Sequence, residues 1–230
     1  MRLRNKLLSL VAGAAALVGL SGSAQASSIT LTEFIANGLT TPGGELTFSN
    51  VSALIGLPLD QNTDHYSVSF IDKGAAGLGF RLSGPIVVAD GNSAVVQLNY
   101  TVTGNNGFLI TDVHLFSNGS FAADPPPGSA AGVTETIFNG FEPVAQLSTQ
   151  GASSAGDFIN LTDSYVFPTT YGTLNVAKDI AVATPSGSTG TVAHISIVDQ
   201  TFTITPEPGS FMLGAMGLAG LAALGRRRVR

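Results

Sequence analysis

The chain of 230 residues contains no cysteine and no tryptophan. Without cysteine there is no disulfide, no thiolate metal site, no cysteine nucleophile and no lipid-modified cysteine. Without tryptophan, the large aromatic with a polar handle that sugar-stacking platforms favour is missing. Charge is scarce as well, at 11% of residues. Basic residues are nearly absent from the body. Seven of the ten Lys and Arg sit at the extreme ends: Arg2, Arg4, Lys6, Arg226, Arg227, Arg228 and Arg230. Between Ser27 and Thr205 only Lys73, Arg81 and Lys178 remain, against fourteen Asp and Glu, a formal charge of −11. Such a body has no electrostatic reason to seek nucleic acid or an anionic membrane surface. The helix formers Glu, Lys and Arg are thin here. Thr and the β-branched aliphatics, which fit a half-buried pleated surface, are plentiful. The aliphatic content is too high for disorder throughout, and about 180 residues can bury a sizeable core without disulfides.

The two ends carry the clearest patterns. Arg2, Arg4 and Lys6 precede an apolar run over residues 7–20, and Ala24-Gln25-Ala26 supplies small residues before Ser27. This is the layout of a removable secretion signal, with cleavage expected after Ala26. An uncleaved anchor would call for about 20 apolar residues, more than this run offers. At the other end Pro206-Glu207-Pro208 is followed by an uncharged, Gly-rich apolar stretch over residues 211–224 and then by Arg226, Arg227 and Arg228. As a helix that stretch would rise about 21 Å, short of a full hydrocarbon core. Snorkelling arginines extend its reach. The positive cluster is expected to stay on the cytoplasmic side, leaving the body outside.

The order Pro-Glu-Pro, apolar Gly-rich segment, Arg cluster resembles the PEP-CTERM sorting signal. The resemblance covers residues 206–230, about a tenth of the chain. It implies an exosortase partner in a Gram-negative bacterium that makes exopolysaccharide. It also implies transient membrane insertion through the C-terminal helix, cleavage near Pro206-Glu207-Pro208, and release or attachment at the cell surface. Signal peptidase and the Sec translocon are the partners implied by the other end. The body loosely resembles the bodies of PEP-CTERM proteins without assigned activity, at residues 108–113, 133–136, 176–180 and 195–202. That resemblance implies no catalytic residues.

The chain therefore reads as a signal peptide (1–26), a secreted acidic domain (27–205) and a sorting signal (206–230). Within the domain, period-two alternation recurs: Tyr66, Val68 and Phe70; Val96, Leu98, Tyr100 and Val102; Phe202 and Ile204. Apolar residues on one face and polar ones on the other are the pattern of half-buried strands. Further strands are expected at 29–35, 45–49, 79–82, 85–89, 108–116, 133–138, 144–148, 174–182 and 191–198. Turn residues fall between them, and Asp90-Gly91 and Asn106-Gly107 are expected to close tight hairpins. A short helix is expected at 52–57. The fold class is all-β, an antiparallel β-sandwich of undecided jelly-roll or Ig-like topology, with a helix at each terminus. The stiff Asp124-Pro125-Pro126-Pro127-Gly128 stretch reads as a crossover loop.

Chemistry-bearing residues are few. His65, His114 and His194 are the only histidines, and a metal would need two of them on adjacent strands. Asp60, Asn62 and Asp64 place oxygens at alternate positions, as a calcium loop begins. The Gly and Glu such a loop then requires are replaced by His65 and Ile71, and a polar turn is the simpler reading. No serine sits in a G-x-S-x-G elbow. The glutamates Glu33, Glu45, Glu135 and Glu142 are the available acids for glycoside hydrolysis, which needs two at a set separation. Tyr66 and Tyr100 fall on apolar strand faces and read as core, whereas Tyr165 and Tyr171 are candidate sugar contacts. Gly74 to Gly79 lacks the strand–helix setting of a dinucleotide fingerprint, and no cofactor is indicated. The reading is a non-enzymatic surface or extracellular-matrix protein, associated with exopolysaccharide or biofilm. A carbohydrate-binding module is the alternative, and a secreted hydrolase stands behind both.

Overall fold

The structure is a computed structural model that describes residues 28–122, 129–152, 160–207 and 209. The signal-peptide residues Ala24, Ala26 and Ser27, the Pro-rich connector, Pro208, the 211–224 segment and Arg226, Arg227 and Arg228 lie outside them. Among the described residues thirteen strands form two antiparallel sheets. Sheet A runs β1 (Ser28–Thr30), β4 (Ser67–Asp72), β5 (Leu78–Ala89), β13 (Val192–Pro206), β7 (Phe108–Ser117), β11 (Thr162–Tyr171), and the short β8 (Ser120–Ala122) pairs the beginning of β13. Sheet B runs β10 (Glu142–Ala152), β9 (Ala130–Asn139), β12 (Thr173–Ala183), β6 (Ser93–Gly104), β3 (Leu46–Ile55), β2 (Leu39–Thr40). The expected antiparallel sandwich is present. Among the described residues no helix is long and apolar enough to cross a membrane.

Alternation places the core. In β6 Ala94, Val96, Leu98, Tyr100 and Val102 are buried while their neighbours face outward. Leu174, Val176, Ile180 and Val182 do the same in β12. Tyr66 and Tyr100 are core residues, as their strand positions require. At one end, Phe34, Phe48, Phe80, Tyr100 and Phe202 stack edge-on or tilted across both sheets, with ring centroids 5.2–6.1 Å apart. Such geometry suits ring quadrupoles.

Several local expectations give way. Residues 29–35 are not one strand: α1 (Leu31–Asn37) begins there and buries Leu31 and Phe34. Thr30 caps it, its hydroxyl accepting from the Glu33 N–H while Glu33 accepts from the Thr30 N–H at 2.8 Å, a reciprocal capping box. Residues 52–57 are not a helix, because β3 continues through them to Ile55. Its register shifts between Ser49 and Ser52, where Asn50 takes φ 51°, a left-handed conformation asparagine tolerates. Asp90-Gly91 and Asn106-Gly107 do have the positive φ angles of a tight turn. Neither closes a hairpin, however. Each passes the chain from one sheet to the other, from β5 to β6 and back from β6 to β7. The paired hairpins are β2–β3, β4–β5 and β9–β10.

Strand β13 is the spine of sheet A, pairing β5 on one side and β7 on the other. Between Ile195 and Ile197 the single Ser196 faces both Gly84 and Pro85, a bulge of β5 that lets a proline sit inside a strand. The Asn118 side chain holds β13 at this point. Its Oδ1 accepts from the Ser196 and Ile197 N–H groups at 3.0 and 2.8 Å, and its Nδ2 donates to Ser196 Oγ. Gly84 itself lies under the Tyr66 ring, where an added Cβ would come within 2.2 Å of a ring carbon.

Candidate functional site

Strand register builds a groove on the outer face of sheet A. Asp199 of β13 stands opposite Arg81 of β5 and Phe116 of β7, and Phe116 stands opposite Thr162 of β11. One step along, Thr201 pairs His114, which pairs Ser164. Cross-strand partners share a face, so these side chains line up together. The short turn Gly74–Ala76 folds over the β13 side, held by the Thr201 hydroxyl donating to the Ala76 carbonyl. The result is an open cavity of about 440 Å³ between that turn and the edge strand β11.

Its fixed point is Asp199, only 3% exposed. Arg81 donates through Nε to Oδ1 at 2.6 Å and through a terminal nitrogen to Oδ2 at 2.8 Å, a bidentate pair. Lys73 Nζ reaches Oδ2 at 2.9 Å and lies 5.8 Å from the Phe116 ring centroid. Burial alone would raise this carboxyl. The hydrogen bonds and charges of Arg81 and Lys73 outweigh it and hold Asp199 below the usual aspartate range. A carboxylate depressed in the folded state stabilises the fold above its unfolded value, near pH 4, and that stabilisation is lost as pH falls through the lower folded value. Asp199→Asn is therefore expected to flatten the acid limb of a stability–pH curve. A wild-type limb left unchanged by the substitution would show that other carboxylates govern acid unfolding.

The remaining lining comprises the hydroxyls of Thr162, Ser164 and Thr201, the Phe116 ring, the His114 imidazole and a second carboxylate, Asp163, which accepts from the Ser148 and Ser164 N–H groups at 2.8 Å. His114 Nε2 sits 2.9 Å from Asp112 Oδ1.

The residues singled out by sequence fall elsewhere. His194 lies on the same strand as Thr201 but seven positions away, against Ser120, so it does not meet His114. His65 hydrogen-bonds Asp60 instead. The oxygens of Asp60 and Asn62 are spent within their own loop. Asp60 accepts from His65 Nδ1 and from the Asn62 N–H, which together hold its carboxyl below the usual range. Asn62 accepts from the Asp64 N–H at 3.1 Å. Among the described residues no three His, Cys, Asp or Glu are grouped to hold a metal ion.

Tyr165 and Tyr171 belong to β11, opposite the buried residues Val113 and Ile110. They flank buried Phe167 edge-on at 5.6 and 5.3 Å. Tyr171 packs on the core, and Tyr165 is 38% exposed. They close the side of the sandwich and do not form a flat external platform. The four glutamates sit on separate elements. Glu33 caps α1, and Glu45 accepts from the Thr41 hydroxyl in the β2–β3 turn. Glu135 is inside the core, and Glu142 starts β10.

Sequence reasoning missed the Asp199 cluster because its partners are 118 residues apart. A signal was nevertheless present. A body with three cations and fourteen acids invites the question of where each cation goes. Two converge on Asp199 and the third, Lys178, lies in the core.

No family model and no curated protein matches the chain. Among solved structures it is similar to TmCBM61 in complex with beta-1,4-galactotriose, at TM-score 0.32 and 10% identity, covering 76% of this chain and 99% of that one. It is also similar to the enzymatically active domain of bacteriophage CBA120 tailspike protein 4, at TM-score 0.25 and 15% identity, and to arabinose-bound MgGH51 α-L-arabinofuranosidase, at 0.26 and 12%. These last two alignments cover 68% and 65% of this chain but span only 19% and 23% of the partners' lengths.

Proposed function

We propose that the chain is an exported, non-catalytic surface or extracellular-matrix protein of a Gram-negative bacterium, processed by an exosortase at Pro206-Glu207-Pro208. The observation that carries this reading is the bipartite targeting pattern in the sequence. A signal peptide ending at Ala26 stands at one end, and Pro-Glu-Pro, an apolar segment and Arg226, Arg227 and Arg228 stand at the other. The body supports it by where it stops. Strand β13 ends at Pro206, and the Glu207 N–H donates to the Gly107 carbonyl at 2.6 Å on the rim of the sandwich. A cut beside Pro208 would leave all thirteen strands in the released body. The test is the mass of the mature protein recovered from cell surface and medium, with and without the host's exosortase. A species starting at Ser27 and ending near Pro206, made only when the exosortase is present, is the expected result. An intact Arg230 end in both strains overturns the reading.

The groove favours a second reading, in which the displayed body holds a neutral polysaccharide. Hydroxyls, an imidazole and one aromatic ring line it, and its two cations, Lys73 and Arg81, stand against two carboxylates, Asp199 and Asp163. That chemistry suits an uncharged hydroxylated chain, which needs hydrogen bonds and an apolar face to rest on. The measurement is retention on purified host exopolysaccharide, expected to fall with Phe116→Ala and to be unmoved by Phe141→Ala, a fully exposed residue at the β9–β10 turn. No retention of the wild-type body on any host polysaccharide removes this second reading.

A further inference from the structure

The interior of the sandwich holds a reactive-looking trio. Lys178 of β12 and Glu135 of β9 face one another in register, and Gln200 of β13 reaches them from the other sheet. The three side chains are closed to solvent. Lys178 Nζ donates to Glu135 Oε2 and, at 2.6 Å, to Gln200 Oε1. Gln200 Nε2 points away, donating to the His114 carbonyl at 3.2 Å. The amide is thus clamped with its carbonyl toward the lysine and its nitrogen on the far side. Glu135 Oε1 and the nearby buried Tyr100 hydroxyl have no hydrogen-bond partner. Around them are Val96, Leu98, Val133, Ile137, Val176 and Ile180, all buried.

A lone ion pair in such a place is costly, because desolvating two charges offsets most of their attraction. Burial pushes the Lys178 ammonium down and the Glu135 carboxyl up. Passing one proton from Lys178 to Glu135 removes both charges. What remains is a free amine, a carboxylic acid and an amide carbonyl held in contact. Fixed juxtaposition of this kind replaces an improbable encounter by a step within one molecule.

We propose that Lys178 and Gln200 become joined by an intramolecular isopeptide bond, with Glu135 as the general acid and base. The Lys178 nitrogen attacks Cδ of Gln200, the N–C bond forms, and the carbonyl electrons move to Oε1. As Cδ becomes tetrahedral, Nε2 lets go of the His114 carbonyl and turns toward Glu135, whose acid gives it a proton while its carboxylate takes one from the attacking nitrogen. The oxygen electrons return, the C–Nε2 bond breaks, and Nε2 leaves as ammonia. Amine and amide give a substituted amide and ammonia, with Glu135 regenerated as the acid and nothing oxidised or reduced. The bond ties β12 of sheet B to β13 of sheet A across 22 residues of chain. It supplies the covalent link between sheets that a cysteine-free exported domain cannot draw from a disulfide. It also fixes the strand that leads directly into the C-terminal segment.

The experiment is mass spectrometry of the full chain, expressed and purified in folded form. The wild type is expected to be lighter than its sequence by one ammonia. Digestion is expected to yield a branched peptide joining Lys178 to Gln200. Glu135→Ala and Lys178→Met are expected to keep the full mass and give only linear peptides. Folded wild type at full mass, with both residues in linear peptides, overturns the proposal. So does an ammonia loss that maps to cyclisation at Asn37-Gly38, Asn106-Gly107, Asn118-Gly119 or Asn139-Gly140. The decisive reading is made on the wild type, so a variant that fails to fold does not blunt it.

Discussion

Replacing Lys178 with methionine lowers the free energy of unfolding by about 3–5 kcal/mol relative to the chain in which Lys178 is not joined to Gln200, the cost of removing one partner from a buried ion pair. Methionine matches the length of the lysine stem, so little packing is lost. The damage comes from Glu135, left in the core without its donor and 1% exposed. Glu135→Leu in the same chain should return much of the loss, since a hydrophobic pair of similar volume often replaces a buried ion pair at no cost. The deficit also depends on pH. Burial raises the Glu135 carboxyl above its unfolded value. An acid raised in the folded state is held protonated there, and its stabilisation of the fold is lost as pH rises from the unfolded value toward the folded one. The Lys178→Met deficit is therefore smallest at about pH 4–5 and grows toward neutrality. Urea midpoints for the wild type and the single and double variants, measured at both pH values, decide the matter. A single variant as stable as the wild type at pH 7 would mean that the pair is not desolvated as its burial implies.

Lys178 also marks where the sequence could be read and where it could not. Strands were legible wherever inward and outward positions differ in polarity, as in β6 and in the apolar positions of β12. At Lys178 and Glu135 that rule fails: two charged residues occupy inward positions because they meet each other. Strand β11 went unrecognised for a different reason. It is an edge strand containing Pro168, only Phe167 in it is buried, and its register breaks between Val166 and Tyr171, so no alternation exists to be read. The helix at Leu31–Asn37 was hidden by Ile29, Leu31 and Ile35, which read as strand. Its capping box, Thr30 and Glu33, was nonetheless in plain view. The turns were correct in conformation and wrong in connection, because a positive φ at Gly91 or Gly107 does not say which sheet the next strand joins.

The groove had no local signature at all. Arg81, Phe116, Thr162 and Asp199 come from four strands, and only their register lines them up. A shift of β13 by one residue would turn Asp199 into the core and Gln200 onto the surface. The register shift at Ser196, where Asn118 holds the strand, fixes that register from one end. The two unusual features of the molecule, the outer Asp199 cluster and the inner Lys178–Glu135–Gln200 trio, therefore lie on opposite faces of the same stretch of β13. Neither can be displaced without disturbing the other.

The largest apolar effect is expected at Phe80. Phe80→Ala should cost about 3–5 kcal/mol, the range for emptying a buried phenylalanine site. The ring is fully buried and lies 5.2 Å from Phe34, 5.2 Å from Phe48 and 5.3 Å from Tyr100. It is the point where sheet A meets both sheet B and α1. Each edge-on or tilted ring pair adds roughly 0.5–1.5 kcal/mol beyond the area it buries. The cavity cannot collapse easily, since its walls belong to three elements anchored elsewhere. For a domain of this size the loss corresponds to a fall in Tm of about 6–20 °C. Val166→Ala, on a side chain 73% exposed, should stay within about 0.5 kcal/mol and serves as the control. The damage should also be uneven. Phe34 tethers α1 through Phe80, so amide exchange in Leu31–Asn37 is expected to accelerate before that in β12, which is paired on both sides within sheet B. A Phe80→Ala protein with wild-type Tm would show that the aromatic cluster is not the joint between the sheets. A uniform rise in exchange with no early loss at α1 would show that the helix is held by its capping box and not by the ring beneath it.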